Sequence, residues 1–322
     1  MGAWDIVRTN VLSPAVLAFV LGLVATLVRS DLTFPEALYT SLSIFLLLSI
    51  GLRGGVELSH VTFGTFWRPA LVTILLGISV PIWCYAILRR LGKFDIANAA
   101  AIAAHYGSVS AVTFATILTF LDNRHVAYEG FVPTLVAFLE VPAILVALLI
   151  ARWRLGGEGR PWSATLHELL AGRSVLLLVG GLVIGFLSGD TSYKAVAPVF
   201  TTLFQGALVL FLLEMGMIAA RRLRDLRAAG PFLIGFAVVM PVLHGLLGVT
   251  LGRLAGMSLG GCVVLGVLAA SSSYIAAPAA VRIALPQANP SYYLTASIGI
   301  TFPFNLAFGI PLYYAFAQLL TR

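Results

Sequence analysis

Charged side chains are scarce in this sequence. Asp, Glu, Lys and Arg make up 10% of the 322 residues, whereas 60% are hydrophobic and the mean hydropathy is +0.99. A water-soluble globule of this length cannot bury so much apolar surface, so the composition indicates a membrane protein. The net charge of +7 comes from basic residues in short connections between apolar runs. That pattern sets membrane topology and argues against a nucleic-acid-binding face.

Cysteine is also rare. Cys84 and Cys262 lie far apart in separate apolar runs. This spacing excludes a disulfide framework and a cysteine-rich metal site, so we expect no resident cofactor. The polar start 1–10 leads into an apolar segment without a recognisable cleavage pattern, and we therefore expect the first span to be retained.

Apolar runs long enough for a hydrocarbon core of about 30 Å recur along the chain. They predict ten membrane-spanning helices, at 13–29, 35–52, 69–90, 95–120, 130–151, 172–189, 197–218, 230–252, 257–283 and 292–320. Five spans lie on each side of a polar link at 152–171. We therefore predict an all-α membrane protein built from two five-helix repeats, 1–151 and 172–322.

The odd number of spans in each repeat fixes their relation. The second repeat must enter the membrane from the opposite side, so the repeats are inverted. Most of the 20 Lys and Arg residues fall in connections that follow odd-numbered spans. By the positive-inside rule these connections are cytoplasmic. The sequence therefore predicts a bacterial inner-membrane protein with the link 152–171 in the cytoplasm and both termini outside.

Two of the predicted spans carry polar and helix-breaking residues at membrane depth. The stretch 105–113 contains Gly107, Ser108 and Ser110, and the stretch 269–278 contains three successive serines and a proline. The two stretches lie about 163 residues apart, at matching places in the repeats. Irregular backbone at this depth is tolerated only where protein covers it or where it lines a wet cavity. The pattern therefore predicts two discontinuous helices that cross near the midplane.

Freed backbone N–H groups and hydroxyls at such breaks can hold a small anion without lysine or arginine. The candidate binding residues are Ser108, Ser110, Thr113, Ser271, Ser272, Ser273, Tyr274 and Glu140. The alternative for the serines is that they bond to their own helix and only pack. Glu140 is a carboxylate inside a span, which makes it a functional candidate. It could ligate sodium, carry a proton or accept hydrogen bonds. Glu214 lies near a basic helix end, where pairing with Arg221 or Arg222 is expected.

Four stretches of the chain resemble the sodium-dependent bicarbonate transporter superfamily, at 13–19, 50–55, 269–273 and 288–291. The resemblance covers both repeats and identifies the chain as a divergent member. It implies a core domain with two crossed broken helices, interleaved between the repeats with a gate domain that forms a homotrimer. It also implies symport of sodium and bicarbonate by elevator-like alternating access, with sodium held by Glu140, Ser110 and Ser273. A PII-like regulatory protein is a further implied partner, although the link 152–171 is short for its docking.

The chain departs from the family pattern directly after the serine triplet, where Tyr274 and apolar residues replace a polar segment. Fewer oxygen ligands also fit an organic-anion carrier coupled to sodium or protons, or a non-transporting sensor on a transporter fold. A hydrolase that uses Ser108 with His105 or His244 is disfavoured, because an enzyme needs no matching serine break in a second repeat. We therefore predict a transporter and not an enzyme, with a small anion and membrane lipid as its partners.

Overall fold

The computed structural model describes residue 8, residues 10–156, residue 167, residues 170–223 and residues 225–321. Within these residues the regular structure is helical, without strands. The helices are α1 (Pro14–Leu27), α2 (Glu36–Leu58), α3 (Phe63–Arg90), α4 (Ile96–Gly107), α5 (Ala111–Asp122), α6 (Val132–Arg154), α7 (Arg173–Tyr193), α8 (Ala197–Leu223), α9 (Leu226–Leu254), α10 (Leu259–Ala270), α11 (Ala276–Ala284) and α12 (Pro290–Leu320). Helix α12 contains two π-helical segments, Thr295–Thr301 and Asn305–Gly309.

Eight segments of the described chain are long and apolar enough to cross a membrane, with α4 and α5 taken together as one. The first predicted span, 13–29, is shorter than expected: α1 has 14 residues, about 21 Å of helix. The predicted span 257–283 divides into the short helices α10 and α11. The count of ten spans and their inverted arrangement stay predictions. Residues 157–166, 168 and 169 of the predicted link lie outside the described residues.

Helices α1, α2, α7 and α8 form one packed group, which we call the four-helix unit. Helix α1 packs on α8 and α2 packs on α7, so each pair combines one helix from each predicted repeat. Glycines set these close contacts. A Cβ on Gly22 would overlap the carbonyl of Leu213, and one on Gly216 would overlap the carbonyl of Phe19. Small residues of this kind let membrane helices approach closely.

The remaining helices pack around α4, α5 and α10, which are buried on nearly all sides. Helix α4 is contacted by α3 and α6, and α10 is contacted by α9 and α12. A helix that is apolar all round belongs in a protein interior. Asp95 caps the start of α4 and Ser258 caps the start of α10, each by accepting a backbone N–H from three residues ahead. We call these eight helices the core unit.

Candidate functional site

Two helices of the core unit are interrupted where the sequence predicts. Helix α4 ends at Gly107 and α5 begins at Ala111, while α10 ends at Ala270 and α11 begins at Ala276. Gly107 is required at the first break because a Cβ there would overlap the ring of Pro81. Each interruption leaves backbone N–H and carbonyl groups without partners inside a helix.

The two breaks meet directly. The backbone N–H of Ser110 donates to Oγ of Ser271 at 3.0 Å, and the backbone N–H of Ser273 donates to the carbonyl of His105 at 2.9 Å. The Ser271 hydroxyl in turn donates to the carbonyl of Leu268 at 2.8 Å. Polar groups freed at one break are therefore satisfied by groups of the other.

Ser110 and Ser273 also organise the half-helices that follow them. The Ser110 hydroxyl accepts from the N–H of Thr113 at 3.0 Å, and the Ser273 hydroxyl accepts from the N–H of Ala277 at 3.2 Å. Both hydroxyls thus lie at helix N-termini, where backbone dipoles favour negative charge. A hydroxyl that accepts one hydrogen bond keeps a second lone pair for another partner.

A small cavity of about 10 Å³ lies where the breaks meet, and we call it the junction cavity. Its polar lining consists of Ser110, Glu140, Ser174, Ser273 and Tyr274. The volume is close to that of one water molecule or one dehydrated ion, and far below what a hydrated anion needs. Two lining residues, Leu47 and Ser174, come from the four-helix unit, so the cavity lies between the two units.

Glu140 is 5% exposed and lies near the middle of α6. Within the part of the chain that the structure describes, its carboxylate has neither an ion pair nor a hydrogen bond. An isolated carboxylate in such surroundings is costly unless it is protonated or accompanied by a cation. A proton or a cation beside the carboxylate would therefore lower the cost of burying it.

Tyr274 closes the junction cavity. Its hydroxyl accepts a hydrogen bond from Oγ of Ser110 at 3.0 Å, and its ring packs edge-on against Phe302 with centroids 5.4 Å apart. Tyr274 therefore fills the space beside the two breaks. Its phenol supplies one of the few polar groups at this point.

The other predicted site residues are buried nearby but do not line the junction cavity. Ser108 and Ser272 are buried, and neither hydroxyl has a hydrogen-bond partner in the described chain. Thr113 contacts the first break through its backbone N–H, which donates to the Ser110 hydroxyl. The structure thus brings together Ser110, Ser271, Ser273, Tyr274 and Glu140, and places the remaining three around them.

The residues considered for other roles lie apart from this cavity. His105 is held by the carbonyl of Ala101 at 2.7 Å and stacks on Tyr293. His244 accepts from the indole N–H of Trp83 at 2.8 Å. The expected partner of Glu214 is confirmed as Arg221, at 3.5 Å.

Two further residues contribute to the site, one with a weak sequence signal and one with none. Ser174 lies in the first turn of α7 and reaches the junction cavity only because α7 packs on α2. Asn305 donates from Nδ2 to the carbonyl of Ala270 at 2.7 Å, which satisfies the last carbonyl of α10. A polar residue beside Pro303 in an apolar span is the signal that points to Asn305, whereas Ser174 has none.

The donor set fits a hard monovalent cation. The described residues contain no group of three or more His, Cys, Asp and Glu side chains that could hold a metal ion. Glu140, Ser110 and Ser273 offer oxygen atoms, which hard cations prefer. The junction cavity is also of the size of one dehydrated ion. Sodium therefore fits the residues present.

No individual curated protein matches this sequence. The family model described as the Na+-dependent bicarbonate transporter superfamily matches residues 14–318, a range that includes both breaks, Glu140 and parts of both units. Since the match extends over nearly the whole chain, the protein belongs to the Na+-dependent bicarbonate transporter superfamily.

Proposed function

We propose that this protein is a secondary active transporter that takes up bicarbonate together with sodium. The observation that supports the proposal most strongly is the meeting of the two breaks beside the unpaired carboxylate of Glu140. Broken helices that meet in a membrane interior are typical of ion and substrate sites in secondary transporters. Membership of the superfamily supports bicarbonate as the substrate and sodium as the coupling ion.

In this proposal Glu140, Ser110 and Ser273 hold the sodium ion. The anion lies next to it, against the N-termini of α5 and α11 and the hydroxyls of Ser271 and Tyr274. The order follows from electrostatics: an anion beside a bare carboxylate is repelled, whereas bound sodium neutralises Glu140 and attracts the anion. Sodium binding thereby makes anion binding favourable, which couples the two.

The junction cavity of about 10 Å³ cannot hold both ions at once. Loading therefore requires the site to open. Leu47 and Ser174 form the wall that the four-helix unit contributes, and the core unit contributes the rest. Movement of the core unit along the four-helix unit would remove that wall, which is the elevator-like step that we propose.

Uptake of labelled bicarbonate into proteoliposomes tests the proposal. We expect an inward sodium gradient to accelerate uptake over an equal potassium gradient. A proton gradient alone should have little effect. Bicarbonate uptake that is the same in both salts would contradict sodium coupling, and no uptake by folded protein would contradict transport of bicarbonate.

A second candidate is an organic-anion carrier that uses protons. The unpaired Glu140 supports it, because a buried carboxylate without a cation can exchange a proton instead. The same vesicles distinguish the two: a pH gradient that drives labelled acetate or pyruvate without sodium would favour this candidate. If sodium, bicarbonate and small carboxylates all leave the melting temperature unchanged, the result would favour a non-transporting sensor.

The oligomeric state and the membrane orientation of the protein are proposals. The first rests on membership of the superfamily, and the second rests on the distribution of Lys and Arg between the connections. We propose a homotrimer in the bacterial inner membrane, with both termini outside. Native mass spectrometry of the purified protein tests the trimer. A PII-like partner would have to bind the cytoplasmic face, and a pull-down with such a protein tests that binding.

A further inference from the structure

A polar groove runs beside α5, between the core unit and the four-helix unit. It consists of three adjoining cavities of about 320, 220 and 410 Å³. The first and second share Thr119 and Gln205 in their lining, and the second and third share Arg53 and Asp122. We call this feature the α5 groove. It lies along α5, the half-helix that Ser110 caps.

The largest concentration of uncharged polar groups is in the 320 Å³ part of the groove. Its polar lining consists of Asn10, Ser13, Thr116, Thr119, Asn123, Arg124 and Gln205. Gln205 is exposed although it lies about 12 Å from the start of α8. An amide at this depth would be costly in contact with lipid. The groove therefore keeps Gln205 in contact with water.

Arg124 is the charged residue among the described residues that line this part of the groove. Its guanidinium lies over the ring of Phe120 at 4.6 Å and near that of Tyr314 at 5.5 Å. These cation–π contacts are among the interactions that hold the guanidinium at the groove. The nearby carboxylate of Asp122 lines the other two parts, where it accepts a hydrogen bond from Tyr128 at 3.0 Å.

We infer that the 320 Å³ part of the α5 groove binds a small oxyanion, of the size of bicarbonate or acetate, at Arg124 and Asn123, with Gln205 in the adjoining lining. A guanidinium and an amide group supply hydrogen-bond donors that an oxyanion accepts. The space holds about ten water molecules, so the anion can bind while still hydrated. Thr116, on the groove floor, lies about 9 Å along α5 from Ser110.

One part of this inference rests on the proposed function, namely that the anion moves on from the groove to the junction cavity. In that case the groove is a first binding site, and the junction cavity is the site where the anion is dehydrated. Binding in the groove itself requires neither sodium nor transport. It can therefore be tested even if uptake is absent.

Cysteine labelling tests the groove in intact protein. The native cysteines are both buried, so they give little background. We compare Gln205→Cys with the control Leu203→Cys, which lies on the same helix and is 59% exposed but does not line the described cavities. Membrane-impermeant methanethiosulfonate reagents should label Gln205→Cys from one side of the membrane only, and Leu203→Cys hardly at all. Bicarbonate or acetate should slow the labelling of Gln205→Cys.

The charge of Arg124 is tested in the Gln205→Cys background. Arg124→Gln should slow labelling by an anionic reagent about threefold and accelerate labelling by a cationic one about threefold, because one nearby positive charge is lost. Asn123→Asp adds a negative charge, so it should also slow labelling by the anionic reagent and accelerate labelling by the cationic one. This variant replaces Arg124→Gln in the test if Arg124→Gln fails to fold. Unchanged rates in both variants would overturn the anion site.

The protection experiment separates this inference from the proposed function. If acetate protects Gln205→Cys and bicarbonate does not, the groove site stands and the proposed substrate is wrong. If neither anion protects, the groove site is overturned. Equal labelling of Gln205→Cys and Leu203→Cys would also overturn it, because the groove would then give no special access to water.

Discussion

Ser110 and Ser273 each lie in the break of one interrupted helix, ahead of the half-helix that follows. They lie 163 residues apart, and the hydroxyl of each accepts a hydrogen bond from the first turn of the half-helix that follows. Both also line the junction cavity, together with Glu140. The same side chain thus starts a helix and contributes an oxygen atom to the site. Mutation of either serine therefore affects both roles, and a helix cap outside the site is needed as a control.

Ser110→Ala and Ser273→Ala should each lose stability and sodium affinity together. Loss of the hydrogen bond to the first turn of the following half-helix costs about 1 kcal/mol, and the missing hydroxyl removes a ligand from the proposed sodium site. Ser258→Ala is the matched control, because Ser258 caps α10 away from the junction cavity. It should lower the melting temperature similarly while the sodium dependence of uptake is unchanged. Equal sodium dependence in all three variants would show that the caps are only structural.

Glu140→Gln should abolish sodium stimulation of uptake without lowering the melting temperature. The change removes an unpaired buried charge, which is costly to the fold, and also removes the only anionic ligand proposed for sodium. The control is Glu214→Gln, since Glu214 is buried to a similar extent but is paired with Arg221. That variant should lose stability and keep its sodium stimulation. The reverse pattern would assign the cation to Glu214.

Tyr274→Phe and Tyr274→Ala should differ in selectivity. Phe keeps the packing against Phe302 and loses the hydrogen bond with Ser110, worth about 1 kcal/mol. Ala removes the ring that closes the junction cavity. We expect Tyr274→Ala to let larger carboxylates compete with bicarbonate for uptake, and Tyr274→Phe not to. Unchanged competition in Tyr274→Ala would mean that this ring does not limit the size of the anion.

Gly216→Ala should destabilise the four-helix unit, because its Cβ would overlap the carbonyl of Phe19 on α1. Gly206→Ala lies on the same helix with no atom within 4 Å of the added Cβ. It should be neutral or slightly stabilising, since alanine favours a helix by about 1 kcal/mol over glycine. Thermal unfolding in detergent compares the two. A similar melting temperature for both variants would contradict the close contact of α1 with α8.

The breaks and Glu140 could be predicted from the sequence because each violates a strong rule of membrane helices. Gly107 and the serine triplet interrupt apolar runs, and Glu140 is a charge in the middle of one. Helix ends were harder to predict. Helix α2 continues to Leu58, beyond the expected end at 52, because Arg53 does not stop a helix and faces the α5 groove.

Other parts of the site depend on contacts that no local pattern reveals. Ser174 reaches the junction cavity through the packing of α7 on α2, and Tyr274 meets Ser110 only after both helices break. The π-helical segments of α12 likewise arise in a stretch that reads as an ordinary apolar helix. These features follow from tertiary packing, which overrides local preference.

Sodium binding to purified protein tests the central claim most directly, namely that both breaks and Glu140 form one cation site. The measurement is the melting temperature in detergent at increasing sodium chloride, with the total salt held constant by potassium chloride. At a sodium concentration of 100 times the Kd, binding stabilises the folded state by about 3 kcal/mol. We predict that sodium raises the melting temperature of the native protein by a few degrees, and that Ser110→Ala, Ser273→Ala and Glu140→Gln each lose most of that rise. A rise that is equal in all four proteins would contradict the account.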